Sequence, residues 1–265
     1  MINIIIQGQG VVGQSTELFL KEYTKDVEVI FNDPLKGIAV PDDSWGVADY
    51  VIICVNTDLN EALPVPENST ANIDAAMNEA LEHGFKGRFI LRSTTGIECV
   101  KLLLEQLDSR LIVWPEFIRE ATWQEDSVKP RLVLLGGDYV EDFALLFDEA
   151  YNGPVIVTEP LEAMITKLST NAFLATKVIF ANQVFALCNN YGADYGIVKQ
   201  LLENEGRLGS THWSVPGNDG ELGFAGKCFP KDIQTFEADL IKKGIHVDLI
   251  RAVININNSL RSNEQ

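Results

Sequence analysis

The sequence predicts an α/β protein in two parts: a doubly wound parallel sheet over residues 1–158, then an all-helical domain over 159–265 with a long central helix. Three observations predict it. Short β-branched runs alternate with helical stretches as far as residue 158, the pattern of parallel strands joined by crossover helices that cover both faces of a sheet. Strand signals nearly vanish after Pro160, and residues 162–191 hold neither proline nor glycine. A glycine turn, Gly8-Gln-Gly10-Val-Val-Gly13, links the first strand to the first helix.

In chain order, the strand-like runs are 3–7, 27–31, 50–55, 88–92, 111–113, 131–135 and 155–157. Helical stretches are predicted at 15–22, 72–82, 98–107 and 141–150. In 162–191 the apolar residues Ile165, Leu168, Phe173, Ile179, Phe180, Phe185 and Leu187 recur at helical spacing and nearly encircle the axis. Such a helix must be buried on several sides, so a homodimer through it is expected. Further helices are predicted at 196–204, 231–243 and 246–260. Between them, 206–226 is a polar loop with six glycines and Pro216, a poor core and a plausible ligand clamp.

With 265 residues, 46% hydrophobic and 22% charged, the chain reads as globular with a sizeable core. Its apolar runs are too short to span a bilayer, and its N-terminus lacks a basic region and a small-residue cleavage site. A net charge of −17 argues against nucleic acid and anionic membrane as partners, because both need clustered Lys and Arg. Cys54, Cys99, Cys188 and Cys228 are widely spaced, which indicates neither a disulfide framework nor a zinc site and points to a reducing cytoplasm.

The glycine turn predicts a dinucleotide site of Rossmann type. Gly8 allows the tight turn, Gly10 lets the backbone approach a pyrophosphate, and Gly13 lets helix and strand pack closely. Val11 and Val12 open the helix whose N-terminus faces the phosphates. Asp33 ends the second strand twenty residues after Gly13, where a carboxylate accepts ribose hydroxyls and repels a 2′-phosphate. The expected cofactor is NAD.

A second motif carries chemistry: Gly223-Phe-Ala-Gly-Lys-Cys-Phe-Pro-Lys-Asp232. A helix starting near Pro230 would put the Cys228 thiol at its positive end between Lys227 and Lys231, conditions that favour the nucleophilic thiolate. A buried structural cysteine is the other reading.

Further segments extend the pattern: Ile53-Cys-Val-Asn-Thr57, Ser93-Thr94-Thr95, Trp114-Pro-Glu-Phe-Ile-Arg-Glu120, Lys167-Leu-Ser-Thr-Asn171, Arg207-Leu-Gly209 and Val215-Pro-Gly-Asn-Asp-Gly220. With the two motifs above, they make the chain resemble the UDP-glucose/GDP-mannose dehydrogenase family. The resemblance implies oxidation of the C6 alcohol of a nucleotide sugar to a carboxylate, with two NAD per sugar. It implies Cys228 as the thiol that forms a thiohemiacetal and then a thioester, and Lys167 with Asn171 as the oxyanion stabilisers. It gives Asp232 and Thr94 the catalytic water, and Glu116 and Glu120 the thioester hydrolysis, with Glu120 as general base. Val55, Thr57, Ser93, Thr94 and Lys231 become further cofactor contacts. Phe117, Arg119, Lys167, Arg207, Gly223 and Phe224 become substrate contacts, Arg207 reaching a neighbouring subunit's substrate.

Taken singly, several of these residues have plainer roles. Lys167 and Asn171 fit a polar stripe on a buried helix, Glu116 and Glu120 fit helix-start carboxylates, and Thr57 and Thr94 fit turn residues. The chain departs from the family at Trp114, usually asparagine, at Asp58, usually proline, and at Ala225, usually glycine. The resemblance also implies a C-terminal nucleotide-binding-like domain, which this sequence is expected to lack, and a separate chain supplying it is one expectation. Two other functions compete: a β-hydroxyacid-type dehydrogenase, which shares a helical Lys-x-x-x-Asn but needs no thiol, and a non-catalytic NAD-binding scaffold.

Overall fold

The computed structural model describes residues 1–147 and 150–262, apart from the Glu120 side chain. The chain divides into two compact units, one of residues 1–60 and 68–167, the other of 61–67 and 168–265.

In chain order the first unit begins with β1 (Ile2–Gln7), α1 (Val11–Tyr23), β2 (Val27–Asn32), a short α2 (Asp42–Trp45) and β3 (Tyr50–Ile53). A two-residue ribbon, β4 (Leu59–Asn60) with β5 (Glu67–Asn68), precedes α3 (Ala71–Glu82), β6 (Arg88–Leu91), α4 (Ile97–Leu107) and β7 (Leu111–Val113). Then come α5 (Trp123–Val128), β8 (Val133–Gly136), α6 (Val140–Ala144) and β9 (Val155–Thr158).

The main sheet has the order β2-β1-β3-β6-β7-β8-β9. Its first five strands are parallel, as expected of a doubly wound sheet. The last two are not: β8 runs antiparallel to β7 at Val113↔Gly136, and β9 runs parallel to β8. The physical reason lies in the connection. Residues 114–132 form a 3-10 turn and the short α5, which packs on α1. No helix crosses back along the sheet there, so the chain re-enters from the end it left.

The inner parallel strands β1, β3, β6 and β7 are buried over most of their length, which explains their near-continuous Ile and Val, whereas the edge strand β2 is only partly buried. Ile4, Ile6, Ile52, Ile90 and Ile112 share one core with Phe19, Leu20, Phe143 and Phe147. Trp114 packs there too, 5.4 Å edge-on from Phe19. The predicted helix at 141–150 is shorter than expected: α6 ends at Ala144, and Leu146 and Phe147 hydrogen-bond three residues back in tighter turns. Its residues 148–149 lie outside the described residues.

The long helix is α7 (Pro160–Tyr191), and the second unit continues with α8 (Tyr195–Asn204), α9 (Phe229–Lys242) and α10 (Asp248–Ser262). Small residues let these helices approach: Ala172, Ala175 and Ile179 of α7 share a core with Phe224, Ile233 of α9, and Ile250 and Val253 of α10. Contrary to the reading of the apolar runs, α7 is long and apolar enough to cross a membrane. Yet its buried positions include Lys167, Asn171, Lys177 and Asn182, each bonded to protein groups, as in a core helix. Its outer side is not covered: Phe173, Phe180 and Leu187, seven residues apart, are 67%, 53% and 58% exposed.

Candidate active site

The turn after β1 is built for close packing. Gly8 has φ +94°, and a Cβ there would lie 2.6 Å from the Cys54 carbonyl oxygen. A Cβ on Gly13 would lie 2.0 Å from the Gly8 carbonyl oxygen. At Gly10, by contrast, a Cβ would meet nothing within 4 Å, so the backbone there is open to a ligand. Gly10 caps α1 with no side chain over the first-turn N–H groups, and Val11 is exposed while Val12 turns towards the core. These residues fit a dinucleotide pyrophosphate at a helix N-terminus. The Asp33 carboxylate accepts the Gln9 N–H at 2.9 Å, which anchors it beside the turn, with Lys36 3.9 Å away.

At the ends of β3 and β6 the hydroxyls brace the backbone. Thr57 donates to the Thr94 carbonyl at 2.7 Å and Ser93 donates to the Val55 carbonyl at 2.7 Å. Sequence reasoning missed Asn68, which also donates to the Thr94 carbonyl, at 2.8 Å. It lies on no motif, and nothing but its place in the fold identifies it. Thr57, Ser93 and Thr94 are all buried, and they hold the loop that carries Val55.

Beyond β7, Glu116 and Lys167 form a buried ion pair at 3.1 Å. The second Glu116 oxygen accepts the Ile118 N–H at 2.8 Å, and the Phe117 ring lies 5.5 Å from the Lys167 ammonium. Burial by itself would raise the Glu116 carboxyl. The Lys167 ammonium, the Ile118 N–H and Arg92 outweigh it and hold the carboxyl below its ordinary value. Arg92, also missed from sequence, is buried with its guanidinium 3.9 Å over the Trp114 ring. Arg119 is committed elsewhere: its guanidinium grips Asp126 with two bonds of 2.9 and 2.6 Å. Glu120 opens a 3-10 turn, and its side chain, the expected general base, lies outside the described residues.

In the second unit, Cys228 is the N-cap of α9, with Pro230 in the first turn, so its half-buried thiol stands at the positive end of the helix. Four residues on, the Asp232 N–H bonds back to the Cys228 carbonyl at 2.9 Å. The Asp232 carboxylate is 1% exposed and held on both oxygens, by Lys231 at 2.6 Å and by the Asn171 amide at 2.5 Å. Lys231 is thereby tied to Asp232. Lys167 and Asn171 are one turn apart on α7, as their spacing requires.

The loop before the cysteine is fastened by two buried asparagines that sequence reasoning missed. Asn182 of α7 accepts the Gly223 N–H at 3.1 Å, and Asn257 of α10 accepts the Phe224 N–H at 2.7 Å. Phe224 is buried, with its ring edge-on to Phe229. Gly223 and Gly226 have φ of +73° and +80°, whereas Ala225 has no positive φ, so alanine meets no left-handed strain at that position. The Arg207 side chain is exposed and pairs with Glu205.

Residues 161–259, which carry Lys167, Asn171, Cys228 and Asp232, match the central domain of a known dehydrogenase family. The matching model is that of the UDP-glucose/GDP-mannose dehydrogenase family, central domain. Among similar proteins, the UDP-glucose 6-dehydrogenase AglM of Haloferax volcanii is 33% identical over 54% of this chain and 34% of its own length. UDP-glucose 6-dehydrogenases of Rickettsia conorii and Streptococcus pneumoniae are 29% and 25% identical and match 93% and 97% of this chain. The chain spans 57% and 73% of those two relatives. The fold is that of a Pyrobaculum islandicum UDP-glucose dehydrogenase, with a TM-score of 0.81 over 98% of this chain and 68% of that one, at 22% identity. A Mycobacterium tuberculosis 3-hydroxyisobutyrate dehydrogenase shares it at a TM-score of 0.75 over 99% of this chain and 94% of its own, at 17% identity.

Proposed function

We propose that the chain takes part in the NAD-dependent oxidation of the C6 alcohol of a nucleotide sugar, of UDP-glucose type, to the carboxylate. The observation that carries this reading is Cys228 at the start of α9, followed by Asp232 held between Lys231 and Asn171. A single hydride transfer has no use for a thiol, whereas a thiol can hold the aldehyde as a hemithioacetal for a second oxidation at the same carbon.

Gly8, Gly10, Gly13 and Asp33 would hold NAD, which would supply the hydride acceptor, one molecule for each of the two oxidations. Lys167 and Asn171 donate hydrogen bonds to the negative oxygen that develops as the alcohol, and later the hemithioacetal, is oxidised. Cys228 attacks the aldehyde carbon, giving a thiohemiacetal and then, after the second oxidation, a thioester. Water releases the acid, with Glu120 accepting its proton and Asp232 and Thr94 holding it in place. Asp232 has a further duty that its bonds support: it fixes the rotation of the Asn171 amide and leaves a second N–H for the oxyanion. Glu116, kept ionised, holds the Lys167 ammonium.

A second reading, a one-hydride β-hydroxyacid-type dehydrogenase, is favoured by the end-to-end fold likeness to the 3-hydroxyisobutyrate dehydrogenase. The deciding measurement is NADH formed per sugar with purified protein and UDP-glucose. A ratio near two supports the thioester route; near one supports the alternative; NAD binding without turnover supports a scaffold. Cys228→Ser is expected to abolish carboxylate formation, and unchanged product rules out the covalent role. The exposed stripe of Phe173, Phe180 and Leu187 on α7 supports a homodimer, and a reducing cytoplasm suits the Cys228 thiol.

A further inference from the structure

Lys177 lies on α7 ten residues after Lys167 and takes no part in the chemistry proposed above. It is 9% exposed, and no described carboxylate forms an ion pair with it. Its ammonium instead donates to two backbone carbonyls, Leu208 at 2.9 Å and Gly209 at 3.0 Å. The ring of buried Trp213 lies 4.6 Å from the same ammonium, and the Trp213 indole N–H donates to the Gly209 carbonyl at 2.9 Å. Tyr195 of α8 closes the set by donating to the Trp213 carbonyl at 2.6 Å.

A buried lysine spent on carbonyls is costly unless it holds something in place. What it holds is a loop with three left-handed residues, of which His212 alone is strained. Gly206, Gly209 and His212 have φ of +93°, +67° and +66°, and His212 has a Cβ that disfavours this region. Such a path persists when the surroundings over-determine it. Lys177, Trp213 and Tyr195 supply that restraint. The residue just before the gripped carbonyls is Arg207, whose side chain is 86% exposed and pairs with Glu205, a surface ion pair that is weak enough to be exchanged for a ligand. An exposed guanidinium on a rigid loop suits the diphosphate of a nucleotide sugar.

We propose that Lys177 is a positioning residue for nucleotide-sugar binding: by gripping the Leu208 and Gly209 carbonyls it fixes the direction in which Arg207 presents its guanidinium. The assignment rests on the nucleotide-sugar reading above and adds to it the residue that pre-organises the diphosphate contact.

The test is steady-state kinetics of the full chain with UDP-glucose and NAD, for wild type, Lys177→Met, Lys177→Arg, Arg207→Ala and the Lys177→Met/Arg207→Ala pair. Lys177→Met is expected to raise the KM for UDP-glucose about tenfold, with the KM for NAD and kcat moved less than about twofold. Lys177→Arg, which keeps charge and donors, restores the KM. In the double variant the Lys177 change adds nothing to the loss already caused by Arg207→Ala. Full additivity, an unchanged UDP-glucose KM, or an equal loss in the NAD KM overturns the proposal. Trp213→Phe keeps the ring but loses the bond to Gly209, and decides the matter by the same KM comparison if Lys177→Met does not fold. Amide exchange over 206–213 must also quicken in Lys177→Met; unchanged exchange overturns the proposal whatever the substrate. A wild-type chain that oxidises no UDP-glucose defeats the nucleotide-sugar reading instead, and the wild-type control separates that result from failure of the Lys177 assignment.

Discussion

Glu116 and Lys167 illustrate how single residues are tuned. Both are buried, and removing one partner leaves the other charge uncompensated, a loss of about 3–5 kcal/mol in comparable sites. Glu116→Gln is therefore expected to lower the unfolding free energy by about that amount, measured by urea titration. The pH dependence follows from the direction of the Glu116 shift. Its carboxyl is held below the ordinary 4.5 in the folded chain, so the unfolded chain binds more protons in that range. The stabilisation is fully present above pH 4.5 and is lost as pH falls towards the folded value. Glu116→Gln should flatten that acid limb in thermal melts across pH 3 to 6, and an unflattened limb would show that Glu116 does not govern it. In the proposed cofactor site, Asp33 is expected to set cofactor choice by charge and hydrogen bonding. Asp33→Asn is expected to raise the KM for NAD and lower that for NADP, each by about tenfold, since repulsion of the 2′-phosphate disappears. Initial rates with each cofactor decide it.

At the scale of elements, α7 carries most of the information. Its inner positions hold small apolar residues interrupted by four polar ones, each of which reaches a different partner. Its outer positions Phe173, Phe180 and Leu187 repeat every seven residues, the period of a helix-pairing seam. Phe180→Asp with Leu187→Asp is expected to convert a dimer to a monomer in light scattering, with far-ultraviolet dichroism unchanged. A wild type that is already monomeric would remove the dimer proposal. The helix starts were legible: Pro230 and Gly10 sit where a first turn tolerates them, and α9 and α1 begin there. The reversal at β8 was not legible, because Val133–Gly136 is as apolar as a parallel strand and direction depends on what joins it to β7. The end of α6 was equally hidden, since Phe143 and Phe147 keep a helical period while the hydrogen bonds tighten between them.

For the whole molecule, the first unit holds the expected dinucleotide turn and the second holds the thiol, so ligand binding is expected to stabilise the first. NAD at about a hundred times its Kd should add about 2.7 kcal/mol to the unfolding free energy of the binding-competent fold, seen as a raised Tm. Asp33→Asn should shrink that shift, and a Tm indifferent to NAD would count against the cofactor assignment. The sequence by itself determined the α/β class with its long helix, the glycine turn after the first strand and the cysteine at a helix start. Each rests on local rules: strand and helix periods, the three glycines at Gly8, Gly10 and Gly13, and a proline at a helix start. Only the tertiary structure decided which side chains work as pairs. The Glu116–Lys167 partners are 51 residues apart in the chain, those of Asn171–Asp232 are 61 apart, and the Asn257 clasp on Phe224 spans 33. Lys177 shows the difference most plainly. In sequence it is one more cation on a long apolar helix, and its use depends on two carbonyls of a distant loop, groups that every residue carries and no motif can announce.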